Sequence, residues 1–338
     1  MKIKWCVIGA GGIADRRTIP AIKADENNEL VAVMDRVPTV AEAVGRKYGV
    51  KSYTDENVML SENKCDAVYI GTPVSCHLEQ ALTVLKYGAD CFIEKPVAMN
   101  ATDGEKLLNA YKKAGKLLFV GYMMKYHNLN EKAKVMVQSG KIGQVSDVRL
   151  QFSCWYPDIA GAWRQKKSLG GGGAFMDLGV HCIELIEYVL GEEITEVKGF
   201  FNTHTFSYEV EDGAVMAFKT ESGVLGHIDV NFNVPDNASV SKMELYGTKG
   251  YIICSGTLGQ EETGKLSYLY APQGDYSAQQ SRTTFKPQNF YGKKGNLYLK
   301  QLKDFCGGIR RGKPDYSCAE RAVQVQRIVD RFYMENGK

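Results

Sequence analysis

The sequence lacks long apolar runs, and this absence limits where the chain can work. No stretch of its 338 residues approaches the ~20 consecutive apolar residues that a membrane-spanning helix needs. The apolar run that follows Lys2 and Lys4 is about six residues long and ends in glycines, which is too short for a secretory signal peptide. We therefore expect a cytoplasmic protein with no membrane partner.

The sequence also lacks paired cysteines and an excess of either charge. None of its nine cysteines forms a C-x-x-C pair, so neither a zinc ribbon nor a thioredoxin-type site is predicted. The net charge is only +3, and no cluster of Lys and Arg is interleaved with aromatic residues. We therefore expect no nucleic-acid partner. A chain of 338 residues is longer than one hydrophobic core usually serves, so two domains are expected.

The first 120 residues alternate short apolar runs with helical patterns. Short apolar runs are typical of strands that are covered on both faces, and their alternation with helices predicts a doubly wound parallel sheet. Thr102 and Glu105 fit a capping box at the start of the fourth helix. The predicted strands are 3–8, 30–34, 66–70, 90–94 and 117–120, and the predicted helices are 12–23, 39–48, 76–87 and 102–114.

The pattern changes after about residue 123, where longer strand-like stretches begin. Turn residues at 221–223 and 248–250 lie between neighbouring stretches and predict hairpins, and therefore an antiparallel sheet. A helix opens at the glycine run 170–173 and interrupts this sheet. The predicted strands are 145–154, 194–206, 212–220, 224–232, 240–246 and 250–254, and the predicted helices are 128–139, 295–309 and 317–335.

A glycine-rich segment directly follows the first predicted strand. Gly9 to Ala14 read G-x-G-x-x-A and open a helix, which is the context of a dinucleotide-binding fingerprint. Gly9 permits the tight turn, and Gly11 lets the backbone approach a pyrophosphate at the helix N-terminus. Gly12 and Ile13 complete this loop and are counted among the cofactor-binding residues.

The fingerprint requires an acidic residue about 20 residues further on, at the end of the second strand. Asp35 stands there, where its carboxylate can accept hydrogen bonds from ribose hydroxyls and repel a 2′-phosphate. The adjacent Arg36 can stack on adenine or pair with a 2′-phosphate. These residues favour NAD as the cofactor, with NADP as the alternative.

Two further segments follow the fourth and fifth strands. Gly71-Thr72-Pro73 precedes His77, and Glu94-Lys95-Pro96 ends the next strand. Ligands of open α/β sheets bind beyond the carboxyl ends of the strands, so both segments are predicted to border the cofactor.

The glycine run leads into Asp177 and His181, which are four residues apart on a predicted helix. The run allows three interpretations besides a catalytic one: a second phosphate loop, a metal site and a flexible linker. A zinc site would need at least one more ligand at a fitting spacing, and none is seen, so no metal is predicted. An Asp/His pair at this spacing also occurs on solvent-exposed helix surfaces. Trp163-Arg164 is open to three readings: a cover for the cofactor, a substrate clamp or a loop anchor.

The chain resembles the glucose–fructose oxidoreductase and inositol dehydrogenase family, also called Gfo/Idh/MocA, from residue 3 to the final helix. Within it, the segments around Trp163, 209–213 and 295–298 look most similar to anhydrofructose reductases and related sugar dehydrogenases. The motifs that carry the resemblance are GAGGIA (9–14), GTP (71–73), EKP (94–96), GYMMKY (121–126), GKIG (140–143), Trp163-Arg164 and GGGGAFMDLGVH (170–181).

The resemblance implies a Rossmann domain at residues 1–123 and a substrate-binding and oligomerisation domain at 124–338. The second domain would be an α/β domain with a large, mostly antiparallel open sheet, and the last helix would pack back on the first domain. Such proteins are commonly homodimers or homotetramers through this sheet.

The resemblance also implies the catalytic roles. Lys95 would contact the cofactor and the substrate hydroxyl, its bond to Pro96 would be cis, and His181 would be the acid/base with Asp177 close by. Thr72, Pro73, His77, Glu94 and Met123 would line the cofactor, with Trp163 and Arg164 at its edge. Lys125 and Tyr126 join Lys95, Trp163, Asp177 and His181 as substrate-binding residues.

One position departs from the family pattern. Many relatives have arginine where this chain has Lys125, and an ammonium does not replace a bidentate guanidinium. The expected function is NAD(P)-dependent hydride transfer to or from a sugar, cyclitol or sugar derivative. The alternatives are a glycosidase that oxidises its sugar transiently and a sensor without catalysis.

Overall fold

A computed structural model describes residues 1–272, 274, 276 and 285–336 of the chain. Its contacts divide the chain into two compact units. The first comprises Met1–Tyr122, Lys166–Gly171 and Tyr298–Arg327, and the second comprises Met123–Gln165, Gly172–Leu297 and Ile328–Lys338. The glycine run therefore contains one of the passages from the first unit to the second, between Gly171 and Gly172.

The described residues form two sheets and ten named α-helices. The strands are β1 (Ile3–Ile8), β2 (Asn28–Met34), β3 (Lys51–Tyr53), β4 (Ala67–Ile70), β5 (Asp90–Ile93), β6 (Leu118–Val120), β7 (Val145–Ser153), β8 (Ile194–Asn202), β9 (Gly213–Thr220), β10 (Leu225–Asn231), β11 (Lys242–Gly247), β12 (Gly250–Ser255), β13 (Lys265–Tyr270) and β14 (Gln288–Tyr291). The helices are α1 (Ile19–Ala24), α2 (Pro38–Tyr48), α3 (Glu56–Glu62), α4 (His77–Lys86), α5 (Ala101–Ala114), α6 (Asn128–Gln138), α7 (Lys167–Gly170), α8 (Val180–Leu190), α9 (Leu297–Arg311) and α10 (Ser317–Asn336). None of them, within the described part of the chain, is long and apolar enough to cross a membrane.

The first unit contains a six-stranded sheet in the order β3-β2-β1-β4-β5-β6, and every pair is parallel. This confirms the predicted doubly wound sheet. Its core is aromatic: Trp5, Phe92 and Phe119 from the strands all contact Phe305 of α9, with ring centroids 5.2 to 5.7 Å apart. Packing of this kind removes large apolar surfaces from water and fixes α9 against the sheet.

Some local predictions for this unit need correction. The capping box at Thr102 and Glu105 is wrong, because the helix begins at Ala101 and its cap is Asn100, whose side chain accepts from the Asp103 amide at 2.9 Å. Strand β3 was not predicted, because it is an edge strand of three half-buried or exposed residues without an apolar run. The first predicted helix begins as a π-helical turn, Ala14–Thr18, before α1.

The second unit contains an eight-stranded sheet in the order β14-β13-β12-β11-β7-β10-β9-β8. Only β7 and β10 run parallel among its pairs in the described residues, so the sheet is mostly antiparallel, as predicted. The two predicted hairpins join β9 to β10 and β11 to β12. Strands β13 and β14 were missed.

Strand β8 is shorter than the predicted stretch 194–206. The amides of His204, Thr205 and Phe206 donate to the carboxylate of the fully buried Asp212, at distances of 2.7 to 3.1 Å. A side chain that captures three successive amides offers the backbone an alternative to the sheet. The strand therefore ends at Asn202.

Glu211 holds the end of the glycine run that belongs to the second unit. Its Oε1 accepts the amides of Gly173 and Phe175, each at 2.9 Å, and the hydroxyl of Tyr333 at 2.6 Å. Its backbone oxygen accepts the amide of Ala174 at 2.9 Å. Burial raises the pKa of the Glu211 carboxyl. The three amides that open the helical segment are therefore occupied by Glu211, which contradicts the reading of this run as a phosphate loop.

Two of the glycines are required by the same packing. A side chain at Gly173 would collide with the backbone oxygen of Glu211, and one at Gly172 would collide with the Tyr333 hydroxyl. The run is therefore close-approach backbone with a defined partner, which also contradicts the reading as a flexible linker.

We expect Glu211→Ala to lower the free energy of unfolding by about 2–4 kcal/mol, because three buried donors lose their acceptor. Glu211→Gln should cost less than half as much, since its amide oxygen still accepts. Urea unfolding followed by circular dichroism measures both values, with the exposed neighbour variant Glu209→Ala as the control. A cost for Glu211→Ala as small as that of Glu209→Ala would contradict this role.

Candidate active site

The glycine loop of the first unit begins where β1 ends. Gly9 has a φ of 77°, and the amides of Gly9 and Ala10 both donate to the backbone oxygen of Met34, at 2.9 and 3.0 Å. A side chain at Gly9 would lie 2.7 Å from the Thr72 methyl carbon, so the turn tolerates only glycine here. Gly12 has a φ of 54°, and nothing lies within 4 Å of the position that a side chain would take. The space beside the Gly12 Cα is therefore open.

Asp35 is fixed beside this loop. It follows β2, and its two carboxylate oxygens accept the amides of Gly11 and Val37 at 3.2 and 3.0 Å. Each oxygen keeps lone pairs that can accept from a ligand hydroxyl. Arg36 is exposed to solvent, Ile13 is half-buried and Ala14 is fully buried. The structure thus brings the predicted acidic residue to the glycine loop.

His77, the first residue of α4, is fully buried. Its Nδ1 lies 2.9 Å from the backbone oxygen of Pro96, and its Nε2 lies 3.1 Å from that of Thr72. Burial lowers the pKa of this imidazole to about 4. The ring is therefore neutral at pH 7 and has one N–H for two acceptors. It touches both strand-end segments that the sequence singled out.

Glu94 and Lys95 leave the sheet at the end of β5. Glu94 Oε1 accepts the hydroxyl of the buried Tyr69 at 2.7 Å, and burial raises the pKa of that hydroxyl, which keeps it a donor. Lys95 is half-buried, and its bond to Pro96 is cis, as the resemblance implies. In the neighbouring segment, the Thr72 hydroxyl donates to Gln80 at 2.6 Å, and Pro73 is half-buried.

In the second unit, Asp177 pairs with Arg164. The guanidinium Nε donates to Asp177 Oδ1 at 3.2 Å, and the same guanidinium lies 4.1 Å from the ring centroid of Trp163. Asp177 lies in a π-helical turn, Phe175–Gly179, directly before α8. Burial raises the pKa of the nearby Tyr156 hydroxyl, on which Arg164 and Asp177 act in opposite directions. The structure thus brings together Asp177, Arg164, Trp163 and Tyr156. Of these four residues, only Tyr156 was not identified from the sequence.

His181 occupies the first turn of α8 and is 5% exposed. One turn further along the same helix is Glu184, a carboxylate that is 1% exposed and 3.4 Å from the Nζ of Lys125. Sequence reasoning did not identify Glu184. The signal that could have found it is its spacing, because residues 177, 181 and 184 recur at the helical period of one face.

Lys125 belongs to a 3-10 turn, Met124–Tyr126, and its Nζ also lies 5.5 Å from the Tyr126 ring centroid. The buried Glu184 carboxylate compensates the Lys125 ammonium, which is itself only 13% exposed. Met123, just before this turn, is buried at 6% exposure. Lys125 is therefore held in place by its own partner.

His127 follows the turn and has a structural role. Its Nδ1 accepts the Leu129 amide at 3.1 Å, so its Nε2 carries the proton and donates to the Thr263 backbone oxygen at 2.8 Å. This capping bond starts α6 and ties the turn to the loop before β13. Across the ranges that the structure covers, no group of three or more His, Cys, Asp or Glu side chains is placed to hold a metal ion.

Two family models match the chain. Residues 3–122 match an oxidoreductase family with an NAD-binding Rossmann fold, and residues 130–253 match the GFO/IDH/MocA C-terminal domain. The 1,5-anhydro-D-fructose reductase of Ensifer adhaerens is 26% identical over 290 residues, which cover 85% of this chain and 84% of that protein. Oxidoreductase P35 of Formosa agariphila is 31% identical over 279 residues, which cover 80% of this chain and 85% of that protein.

Among solved structures, the aldose–aldose oxidoreductase of Caulobacter crescentus, complexed with glycerol, superposes with a TM-score of 0.86. It is 23% identical in sequence, and the match covers 99% of this chain and 97% of that chain, so it supports the fold. The two family matches indicate one family, and the glycine loop with its acidic partner and the EKP segment are motifs of that same family. The chain belongs to the GFO/IDH/MocA oxidoreductase family and is an NAD(P)-dependent dehydrogenase or reductase with an NAD-binding Rossmann domain.

Proposed function

We propose that this enzyme moves a hydride between its nicotinamide cofactor and a hydroxyl or carbonyl carbon of a sugar, cyclitol or sugar derivative. The observation that carries the proposal is the presence of Lys95 and His181 at the two motif positions where the family places its catalytic pair. The related reductase from Ensifer adhaerens is named for 1,5-anhydro-D-fructose, which supports a sugar-derived substrate. We assign the dinucleotide-binding domain to residues 1–123 and the substrate-binding and oligomerisation domain to residues 124–338.

The residues at the glycine loop fit a dinucleotide. The open space beside Gly12 suits a pyrophosphate, and the Asp35 carboxylate, held by the Gly11 amide, suits ribose hydroxyls. NAD is therefore the preferred cofactor and NADP the alternative. We assign cofactor binding to Gly9, Gly11, Gly12, Ile13, Asp35, Arg36, Thr72, Pro73, Glu94, Lys95, Met123, Trp163 and Arg164. His77 is left out of this set because its ring is fully buried between the backbone oxygens of Thr72 and Pro96.

His181 transfers the proton, and Lys95 stabilises the charge that develops on the substrate. The bound nicotinamide supplies the hydride acceptor or donor. In the oxidative direction His181 accepts the hydroxyl proton, and in the reductive direction it returns a proton to the forming hydroxyl. Histidine suits both directions because its ordinary pKa lies closest to neutrality. The Lys95 ammonium stabilises the negative charge that develops on the substrate oxygen.

Asp177 and Arg164 orient the substrate. A carboxylate that already accepts from Arg164 at 3.2 Å keeps lone pairs for a sugar hydroxyl. Lys125 and Tyr126 add a fixed cation and an aromatic ring, and Trp163 adds a second ring that can cover an apolar sugar face. The Glu184 pairing means that Lys125 offers a positioned point charge in place of a guanidinium fork.

We also propose that copies of the enzyme associate in the cytoplasm through the outer face of the eight-stranded sheet. Phe200 on β8, Val215 on β9 and Leu225 on β10 are 84%, 48% and 59% exposed. Large apolar side chains gathered on one exposed surface favour a protein interface. A homodimer or homotetramer would bury them.

A panel of sugars, cyclitols and glycosides, each offered with NAD, NADH, NADP and NADPH, tests the function. We expect net formation or consumption of reduced cofactor, read by its absorbance. A glycosidase that oxidises its sugar transiently would cleave glycosides without net change of the cofactor. A sensor would bind without any turnover, and either outcome would contradict the proposal.

Lys95→Ala and His181→Ala should each reduce kcat by on the order of 10²-fold or more, because one removes charge stabilisation and the other removes the acid/base. The exposed residues Lys64 and His204 provide the control variants Lys64→Ala and His204→Ala, which should keep wild-type kcat. Steady-state kinetics with the best panel substrate makes the measurement. Near-wild-type turnover in His181→Ala would remove it from the acid/base role.

Asp35→Ser should lower kcat/KM for NAD and raise the NADP-to-NAD ratio of kcat/KM by on the order of tenfold, because the carboxylate no longer bonds the ribose or repels a 2′-phosphate. Initial rates with both cofactors give this ratio. Glu29→Gln, at an exposed position of β2, removes a carboxylate away from the loop and should leave the ratio unchanged. An unaltered ratio in Asp35→Ser would mean that Asp35 does not select the cofactor.

Phe200→Lys combined with Leu225→Glu should shift the enzyme from an oligomer to a monomer, because burying these charges at an interface costs more than the contact returns. Light scattering during size-exclusion chromatography measures the mass. Val58→Lys, at a 47% exposed apolar position of α3, is the matched control and should leave the mass unchanged. A monomeric wild-type enzyme would refute the proposed assembly.

A further inference from the structure

His77 connects the two strand-end segments that flank the proposed cofactor site. Its ring nitrogens lie 2.9 Å from the Pro96 oxygen and 3.1 Å from the Thr72 oxygen, and the side chain is fully buried. A fully buried ring between two backbone carbonyls has no surface left for a ligand. The role that its geometry supports is a link between segments 71–73 and 94–96.

Lys95 is anchored on both sides of its own backbone. On one side Glu94 accepts the Tyr69 hydroxyl at 2.7 Å, and on the other side the Pro96 carbonyl meets His77. Both anchors, Tyr69 and His77, are fully buried, whereas Lys95 itself is half-buried. The sequence provides buried partners for the residues next to Lys95, and these partners hold its backbone.

The geometry points to His77 as a positioning residue that fixes the Lys95 backbone through Pro96, with Tyr69 as the second anchor through Glu94. This inference rests on the proposed catalytic role of Lys95. It revises the expectation that His77 lines the cofactor. A displacement of about 1 Å in a catalytic group can cost on the order of 10²-fold in rate, so a lost anchor has a kinetic consequence.

Two substitutions at residue 77 separate positioning from simple filling of space. His77→Leu keeps the volume but donates no hydrogen bond, whereas His77→Gln keeps a donor for one of the two carbonyls. We expect His77→Leu to lower kcat by tenfold or more, with the Kd for NAD within about threefold of wild type. His77→Gln should recover most of that loss.

A matched pair of tyrosines controls for lost buried hydrogen bonds. Tyr69→Phe removes the bond to Glu94, and Tyr111→Phe removes a bond of 2.8 Å to the Ala81 carbonyl in the middle of α4. Both hydroxyls are fully buried. We expect both variants to lose thermal stability, and only Tyr69→Phe to lose kcat.

The measurements use displacement of fluorescent NADH by NAD for the NAD Kd, and turnover of 1,5-anhydro-D-fructose, D-glucose and myo-inositol for kcat. Hydrogen exchange of the peptide that spans residues 93–98, read by mass spectrometry, needs no substrate. This exchange should become faster in His77→Leu and stay unchanged in Tyr111→Phe. Unchanged exchange in a folded His77→Leu would overturn the inference.

A double-mutant cycle with Lys95→Ala provides the decisive test. If His77 acts through Lys95, then His77→Leu lowers kcat far less in the Lys95→Ala background than in wild type. Three results would each overturn the inference. They are additive losses of kcat in the double mutant, an equal rise of the NAD Kd in both residue-77 variants, and a wild-type kcat in His77→Leu. Wild-type turnover in Lys95→Ala would instead defeat the proposed role of Lys95, and the positioning role with it.

Discussion

The parallel pairing of the first sheet is the constraint on which the cofactor residues depend. Parallel strands place all their carboxyl ends at one edge, so the segments after β1, β2, β4 and β5 emerge side by side. These segments contribute the glycine loop, Asp35, the Thr72 segment and Lys95. Contacts then join them in pairs: the Gly11 amide donates to Asp35, and the His77 ring lies between the backbone oxygens of Thr72 and Pro96. At this edge of the sheet, each of these contacts restricts the backbone conformation of the two segments that it joins.

In the second unit, buried carboxylates hold the backbone segments that carry the proposed substrate residues. Glu211 collects the amides that open the segment leading to Asp177 and His181, and Asp212 beside it ends β8. Glu184 holds Lys125 from α8, and His127 caps the helix that follows the Lys125 turn. Lys125 thus has a buried polar partner, and the segment that leads to Asp177 and His181 starts on another. Burying such groups is costly unless they are bonded, so these partners specify one arrangement of the backbone.

Much of the fold could be predicted from the sequence because it is encoded locally. The apolar runs behind β1, β4 and β5 and the alternating pattern behind β9 and β10 are readable without neighbours. The edge strand β3 could not be found, since its three residues become a strand only by pairing with β2. The cap of α5 failed for a similar reason: Asn100 and Thr102 are both plausible caps, and only the backbone conformation at Asn100 selects between them.

The candidate site likewise has a part that could be predicted from the sequence and a part that could not. The sequence by itself determined the glycine loop, the acidic residue at the end of β2, Lys95 and the Asp177–His181 spacing, because each depends on residue type at short range. Only the tertiary structure decided what holds them: Tyr69 for Glu94, His77 for Pro96, Glu184 for Lys125, Glu211 for the glycine run and Arg164 for Asp177. Every one of these partners lies at least 13 residues away along the chain, and no local periodicity encodes such pairings. They follow from which strand ends and helix faces folding brings within hydrogen-bonding distance.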